Sequence, residues 1–249
     1  MDQDALEPRQ RPYKRGDKVA QAVARSIMRK IRAEGLEPGA HLPSEAHMLK
    51  EYGIGRGSLR EALRILEVNG LIWLKPGPGG GPIVSGAQPD HFGQMATLYL
   101  QAQGTTFREL IEARLAVEPL MARLAAQRQD PAYMDELRRV SGSLKVDDDA
   151  AYLEYTGDFH RLVAEMSGNG ILSLLGQSLS DIFRDRVSGI VFPKSRRKEV
   201  SDAHVAIAKA IEDGEPDAAH DLMYEHMAKY VNYVKRGHPT LINEVVDWR

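Results

Sequence analysis

Residues 55–70 read GRGSLREALRILEVNG, and their spacing decides the fold of the first third of the chain. Leu59, Leu63 and Leu66 recur at intervals of three and four residues, which predicts an amphipathic helix that begins near Arg56. The other side of this helix carries hydrophilic side chains within its first turns, and these are Arg56, Ser58, Arg60 and Arg64. The pattern predicts one apolar face in a core and one basic face in solvent.

The elements around this helix complete a small domain. Apolar residues recur every four positions over residues 18–33, which predicts a first helix. Ser44 is placed to cap a short second helix that ends near Tyr52. Two short apolar runs, 71–74 and 83–84, flank a glycine- and proline-rich turn and predict a hairpin. Three helices followed by a hairpin have the order of a winged helix-turn-helix.

The arginine-rich third helix predicts binding to double-stranded DNA. A helix N-terminus presents free N–H groups to phosphate, and arginines read guanine edges in the major groove. An ordinary helix with a solvated basic face is the alternative. The glycine hairpin that follows the helix favours the DNA-binding interpretation.

Three motifs in this region resemble the DNA-binding domain of the GntR family of bacterial regulators: LEPGAHLPSE at 36–45, GRGSLREAL at 55–63 and LEVNGLI at 66–72. The resemblance implies that Arg56 and Arg60 contact bases and phosphates, and that Ser44 and Ser58 contact phosphates. It also implies that the hairpin tip after Lys75 enters the minor groove. The family usually has an arginine where this chain has Ala46, so one DNA contact is expected to be missing.

The remainder of the chain is predicted to be all-helical, so the expected fold class is mainly α. Helices are predicted over about 105–128, 130–145, 149–167, 171–190, 196–213 and 216–236. The predicted organisation is a flexible tail at 1–15, a winged helix-turn-helix at 16–86, a linker at 87–103, a helical effector-binding and dimerisation domain at 104–236 and a C-terminal tail at 237–249. The longest stretch without a charged residue, Phe92 to Phe107, falls at the predicted linker.

The uneven distribution of charge predicts that the two parts of the chain bind different partners. Residues 1–85 hold 14 Lys and Arg against 10 Asp and Glu, and residues 86–249 hold 19 against 25. The 249 residues include no cysteine, which excludes disulfides, a thiolate zinc site and cysteine catalysis. No window is apolar enough to span a membrane, and the N-terminus lacks the apolar core of a secretory signal. We therefore expect a cytoplasmic protein with no membrane partner.

Three histidines of the second part are predicted to face its interior. His160, His204 and His226 lie beside apolar stripes on three different predicted helices. A single inward histidine is usually a hydrogen-bonded core residue, but three in one bundle favour a shared site. Imidazole binds zinc, nickel and similar ions, so the pattern predicts a divalent metal centre with open ligand positions. Hydrogen-bonding histidines in a metal-free pocket are the alternative.

Residues 104–236 resemble the effector (FCD) domain of the FadR-type branch of the same family, on motifs such as FHRL at 159–162. The resemblance implies that the three histidines bind a divalent metal with an aspartate one turn before the first. This chain has Thr156 at that position, which we expect at the effector site. Arg114 is predicted to face inward, where it either pairs with Glu118 or binds the carboxylate of a small organic acid.

The sequence therefore predicts a ligand-responsive transcriptional repressor that binds a palindromic operator as a homodimer. One alternative is an enzyme that uses the three histidines as a metal site. The chain contains no common catalytic motif, so we expect no enzymatic activity. The other alternative is a DNA-binding dimer without an effector, whose helical part serves only for association.

Overall fold

The computed structural model describes residues 15–77, 79–86, 89–142, 148–187 and 194–247. The chain divides into two compact units, Met1–Gln88 and Pro89–Arg249. The predicted flexible tail lies outside the described residues except for its last position. Helices dominate both units, which confirms the expected mainly-α fold class.

The first unit is a winged helix-turn-helix, as predicted. Its elements are α1 (Arg15–Ala33), α2 (Glu45–Tyr52), α3 (Arg56–Val68), β1 (Ile72–Lys75) and β2 (Gly81–Val84). The two strands are antiparallel, and Ile72 lies opposite Val84. The tip needs glycine, because a Cβ added to Gly80 would lie 2.2 Å from the carbonyl oxygen of Lys75.

The leucines of α3 form the centre of this unit's core. Leu59, Leu63 and Leu66 are buried, and they pack with Ile27 of α1 and Met48 of α2. Burying side chains of this size stabilises a fold by about 1.5–3 kcal/mol each. The packing fixes α3 so that its arginine side is turned to solvent.

The second unit is a helical bundle built around α5. Its helices are α4 (Pro89–Ala102), α5 (Phe107–Arg128), α6 (Met134–Ser141), α7 (Asp149–Met166), α8 (Gly170–Val187), α9 (Arg197–Glu212) and α10 (Pro216–Gly237). Helix α5 packs against α7, α8, α9 and α10. The bundle core lies between these helices and includes Met121, Phe159, Ile207 and Met223.

The predicted linker is wrong for most of its length. Residues 89–102 form α4, which packs on α8 through a side that includes Gly93 and Thr97. The Thr97 hydroxyl is buried and donates to the Gly93 carbonyl at 2.7 Å. The small residues at positions 93 and 97 give this buried side no repeat of large apolar side chains that would have revealed it.

The C-terminal residues form packed structure rather than a tail. Leu241, Ile242 and Val246 are buried in a cluster with the start of α5. The backbone N–H of Val246 donates to Thr105 at 2.9 Å, and that of Phe107 donates to Glu244 at 2.9 Å. Three apolar side chains therefore cover this end of the bundle.

Two further boundaries differ from the predictions. The helix predicted at 130–145 begins with a 3-10 turn, Pro131–Tyr133, and the α-helix ends at Ser141. The predicted end of α8 near residue 190 lies outside the described residues. Among those that are described, no helix combines the length and the apolar character that crossing a bilayer requires.

Candidate functional site

The basic face of α3 is the first candidate site. Arg56, Arg60 and Arg64 are exposed and follow one another at intervals of four residues. None of the three has an ion-pair or hydrogen-bond partner within the part of the chain that the structure describes. Like charges four residues apart on a helix repel one another. A polyanion that neutralises all three is therefore favoured on this face.

The start of α3 adds backbone donors to that face. Gly55 precedes the helix and supplies no side-chain cap, so the first N–H groups stay open to a ligand. Ser58 lies in this first turn and is partly exposed. Ser44 lies at the start of α2, where its hydroxyl oxygen accepts from the His47 N–H at 3.3 Å, as its predicted capping role requires.

Ala46 is the position at which this unit departs from the expected pattern. Ala46 is exposed in the first turn of α2 and offers no charge. The neighbouring His47 ring lies 3.7 Å from Glu51, so it faces along α2 toward that carboxylate. Lys75 is exposed at the end of β1, opposite Gly81. On α2, neither Ala46 nor His47 presents a free basic side chain where the family resemblance predicts a DNA contact.

The three predicted histidines meet inside the second unit. His160 of α7, His204 of α9 and His226 of α10 are all buried. The Nε2 atom of His226 lies 3.3 Å from Nε2 of His160 and 3.3 Å from Nε2 of His204. One ligand atom from each ring lies within 4.8 Å of the others. Three helices therefore direct three imidazole nitrogens to one point.

Glu118 fixes the orientation of His160, a role that the sequence did not reveal. Its Oε2 atom contacts Nδ1 of His160. Burial alone would raise the pKa of the Glu118 carboxyl, but Arg114 and His160 outweigh burial and hold that pKa at about 2. An ionised carboxylate keeps the proton on Nδ1, so Nε2 of a neutral His160 carries a lone pair. Carboxylate partners of this kind orient metal-binding histidines.

Arg114 forms an ion pair with the other carboxylate oxygen of Glu118. Its Nε donates to Oε1 of Glu118 at 2.6 Å, and both side chains are buried. The guanidinium carbon lies 4.0 Å from the ring centre of Phe183. Of the two interpretations of Arg114, the structure realises the pairing with Glu118. One guanidinium nitrogen is used in that bond.

Thr156 does not present its hydroxyl to the histidines. Its Oγ1 lies 3.1 Å from the carbonyl oxygens of Tyr152 and Leu153, on its own helix. A threonine that bonds back to the preceding turn satisfies itself locally. The position where the resemblance implies an aspartate ligand therefore supplies no ligand atom in this conformation.

Hydrogen bonds between the imidazoles satisfy only one of their two Nε2–Nε2 contacts. Burial and the neighbouring imidazoles hold the pKa of His204 well below 6.5, and burial with His160 lowers the pKa of His226 to about 3. Both rings are therefore neutral at neutral pH. A single hydrogen on His226 Nε2 can serve only one of its two contacts fully. Nδ1 of His204 is buried without a hydrogen-bond partner among the described residues.

Two of the three nitrogen separations match those of a tetrahedral metal site. With metal–nitrogen distances of 2.0–2.1 Å and tetrahedral angles, two ligand nitrogens lie about 3.3–3.4 Å apart. The two Nε2 separations of 3.3 Å match that value. A solvent-facing pocket reaches His226, and its other lining residues are Arg196, Glu199, Val200, Ala203 and Lys229. A surface pocket therefore reaches one of the three histidines.

Aromatic side chains complete the surroundings of the histidines. The ring of Phe159 stacks on His204 with centres 3.9 Å apart. Tyr152 is buried one turn before Thr156, and burial raises the pKa of its hydroxyl to about 12. That hydroxyl has no hydrogen-bond partner among the described residues. Of these two aromatic residues, Phe159 is the one that packs directly on an imidazole of the site.

Known proteins resemble both units. Residues 19–80 match the family model of bacterial regulatory proteins of the gntR family, and residues 109–229 match the model of the FCD domain. The HTH-type transcriptional repressor NanR of Citrobacter rodentium is 30% identical over 232 residues, which cover 88% of this chain and 86% of that protein. Its namesake in Escherichia coli K12 is 29% identical, with coverage of 88% and 85%.

A solved structure agrees with these matches. Streptococcus agalactiae GntR superposes with a TM-score of 0.62 at 26% identity, over 86% of this chain and 99% of that chain. These relatives are transcriptional regulators, and the role of the chain is regulatory rather than enzymatic. With a gntR-type DNA-binding unit followed by an FCD domain, the chain belongs to the GntR family of bacterial regulatory proteins.

Proposed function

We propose that this protein is a repressor that binds a palindromic operator as a homodimer and releases it in response to a small organic acid. Support for DNA recognition comes from the unpaired arginines and uncapped start of α3. Support for repression comes from relatives that carry the name repressor. One winged helix reads few bases, and two-fold proteins read two-fold sites.

We also propose that His160, His204 and His226 hold a divalent metal such as zinc or nickel. The observation that carries this proposal is the pair of 3.3 Å contacts shared by one nitrogen of His226, which hydrogen bonds cannot both satisfy. A bound ion would supply open positions for a carboxylate. Glu118 would hold the His160 ring in the tautomer that leaves Nε2 unprotonated.

The proposed acid pairs with Arg114. The bond to Glu118 uses Nε of the guanidinium, and the planar group carries further donors that match a carboxylate. Arg114 is buried in the same cluster of charges as His160, because both contact Glu118. An acid that engages Arg114 therefore alters the hydrogen bonding of Glu118 and, through it, the orientation of His160.

Metal analysis of the full-length protein tests the site. Wild type, His204→Ala and a control, His220→Ala, are purified without chelator, supplied with zinc and analysed for bound metal. His220 is a partly exposed residue of α10 whose ring contacts Asp221. We expect one zinc per chain in wild type and control, and a loss in His204→Ala. Equal zinc content in all three would overturn the metal site.

A DNA selection tests the regulatory proposal independently of the metal. The protein selects duplexes from a random pool, and a panel of small organic acids is then added to the selected complex. We expect a two-fold symmetric sequence and release by at least one acid. Enrichment of no sequence would contradict the operator proposal. Binding that no acid changes would instead favour a DNA-binding dimer without an effector.

A further inference from the structure

The wing hairpin has two side chains that donate hydrogen bonds, and both lie on one face. From Leu71 to Val84, every residue except Trp73 and Lys75 is aliphatic, glycine or proline. Side chains two positions apart on a strand point to the same side of the sheet. Trp73 and Lys75 are both exposed there. We call the face that carries these two residues the outer wing face.

The opposite face of the hairpin is buried in the core of the unit. Ile72 and Val84 lie opposite each other and pack with the leucines of α3. Trp73 lies opposite Ile83, and residues paired in this way share a face. Ile83 is 4% exposed, whereas Trp73 is 45% exposed. Trp73 is therefore placed to cover Ile83 and still presents about half of its surface to solvent.

Backbone hydrogen bonds on both sides of β2 hold the outer wing face in position. One side of β2 pairs with β1. On the other side, the Leu42 N–H donates to the Pro82 carbonyl at 2.9 Å, and the Val84 N–H donates to the Ala40 carbonyl at 2.9 Å. A side chain on a paired strand is held more precisely than one on a loop, so it loses less freedom when it binds a partner.

The charge of this segment indicates the chemistry of that partner. Lys75 is the only charged residue from Val68 to Pro89. A surface with a positive charge, no negative charge and an exposed indole complements a polyanion. The indole N–H donates and cannot accept, and the oxygens of a phosphodiester accept and cannot donate. The exposed arginines of α3 in the same unit favour the same partner, which is DNA.

The composition of the tip shifts the polar contacts of the wing to its base. Residues 76–82 read PGPGGGP and supply no side-chain donor. Any side-chain hydrogen bond from the hairpin to DNA therefore comes from Trp73 or Lys75. Two residues at this spacing are about 7 Å apart along a strand. Successive phosphates of one DNA strand have a comparable separation, so the two side chains can reach neighbouring phosphates.

We propose that the outer wing face contacts the DNA backbone, with the Trp73 indole N–H donating to one phosphate oxygen while Lys75 pairs with a neighbouring phosphate. This inference rests on the operator binding of the proposed function and adds Trp73 to the residues that carry it. Phosphate contacts fix the position of a protein on the duplex, whereas base edges carry the sequence. Trp73 therefore strengthens binding to any duplex and positions the wing.

Trp73→Phe tests the contact in the full-length protein. Phenylalanine keeps an aromatic ring beside Ile83 and removes the N–H donor. Tyr224→Phe is the matched control, because Tyr224 is an exposed aromatic residue of α10 that also loses one donor. Affinity is measured for a duplex selected from a random pool and for a scrambled duplex of the same composition. Trp73→Phe should weaken both by about 10-fold or more, and the control should change neither by more than about two-fold.

The salt dependence of binding separates the contribution of Trp73 from that of Lys75. The slope of log affinity against log salt concentration reports how many phosphates are neutralised by charged residues. Trp73→Phe should leave this slope unchanged, because the indole is neutral. Lys75→Gln should reduce it by about one for each subunit bound.

Acrylamide quenching of tryptophan fluorescence observes the native Trp73 directly. In a Trp248→Phe background, Trp73 is the only tryptophan, and saturating DNA should protect it from the quencher. The control protein combines Trp73→Phe and Trp248→Phe with Tyr224→Trp, so its only tryptophan lies on α10. Quenching of this control should be the same with and without DNA.

The outcomes separate this inference from the proposed function. Wild-type affinity of Trp73→Phe, or unchanged quenching of Trp73 in the complex, overturns the contact and leaves operator binding intact. A loss confined to the selected duplex, or a changed salt slope, also overturns it, because the backbone contact is neutral and independent of sequence. A wild type that enriches no duplex overturns operator binding and the contact together. Equal losses on both duplexes, with an unchanged slope and protection of Trp73, support the inference.

Discussion

Neutralising Glu118 should destabilise the helical unit strongly. Glu118→Gln keeps the size of the side chain and removes its charge, which leaves Arg114 buried beside an uncharged partner. Glu118 is 2% exposed and Arg114 is 4% exposed. Removing one partner of a buried ion pair costs about 3–5 kcal/mol. The pKa of about 2 gives a similar figure, since 2.5 units below 4.5 correspond to about 3 kcal/mol.

The pH dependence of this contribution has a definite sign. The pKa of Glu118 is lower in the folded protein than in the unfolded chain, so ionisation favours folding. The stabilisation is fully present above about pH 4.5. It is lost as the pH falls from about 4.5 toward 2, where the carboxyl becomes protonated in both states. The free-energy difference between wild type and Glu118→Gln should shrink across that interval.

Urea unfolding of the metal-free, full-length protein measures the effect. Two units unfold, so their transitions must be separated. In a Trp248→Phe background, Trp73 is the only tryptophan, and its fluorescence follows the DNA-binding unit alone. Circular dichroism then yields the transition of the helical unit. Glu112→Gln is the matched control on α5, because Glu112 is exposed and lies 3.8 Å from Lys235; it should change stability by less than about 0.5 kcal/mol.

A double variant tests whether an unpaired buried charge causes the destabilisation. Arg114→Met with Glu118→Met leaves no buried charge, so it should cost less than Glu118→Gln alone. The charge-pair account fails if Glu118→Gln lies within about 1 kcal/mol of wild type at pH 7. It also fails if the two single changes, Arg114→Met and Glu118→Met, simply add up in the double variant, because residues that share a contact are expected to couple.

Three further predictions concern the DNA and metal sites. Arg56→Ala should weaken binding to the selected operator by about 1–3 kcal/mol if Arg56 reads a base; equal affinity for wild type and variant in a gel shift would contradict this. Ala46→Arg should raise operator affinity and steepen its salt dependence, and an unchanged salt slope would mean that the position makes no DNA contact. Thr156→Asp should tighten zinc binding in chelator competition by adding a carboxylate beside the histidines; unchanged affinity would mean that residue 156 does not reach the ion.

The sequence predicted those parts of the fold that rest on large apolar side chains. Leu59, Leu63 and Leu66 marked α3 correctly. Helix α4 escaped prediction because Gly93 and Thr97 give its buried side no hydrophobic repeat. Periodicity detects large side chains in a stripe, and close packing of small ones leaves no comparable signal.

The candidate metal site shows a different limit of sequence reasoning. The inward placement of His160, His204 and His226 followed from helical spacing alone, and the structure brings them together. The contact between Glu118 and His160 joins residues 42 positions apart on two helices. Spacing on one helix indicated Arg114 as a partner of Glu118, whereas a second partner on another helix depends on how the helices pack. Such contacts require the tertiary structure.

The charges of the proposed site explain what an acid would contribute to this protein. Glu118 and Arg114 form a buried pair whose charges cancel, and the pKa values of His204 and His226 keep both rings neutral. A divalent ion held by three neutral imidazoles therefore retains nearly its full charge in a buried setting, which is costly. An aspartate at position 156 would reduce that charge, but Thr156 does not. In the proposed site an anionic ligand would supply the missing charge, so metal and acid should each raise the affinity of the other by the same factor.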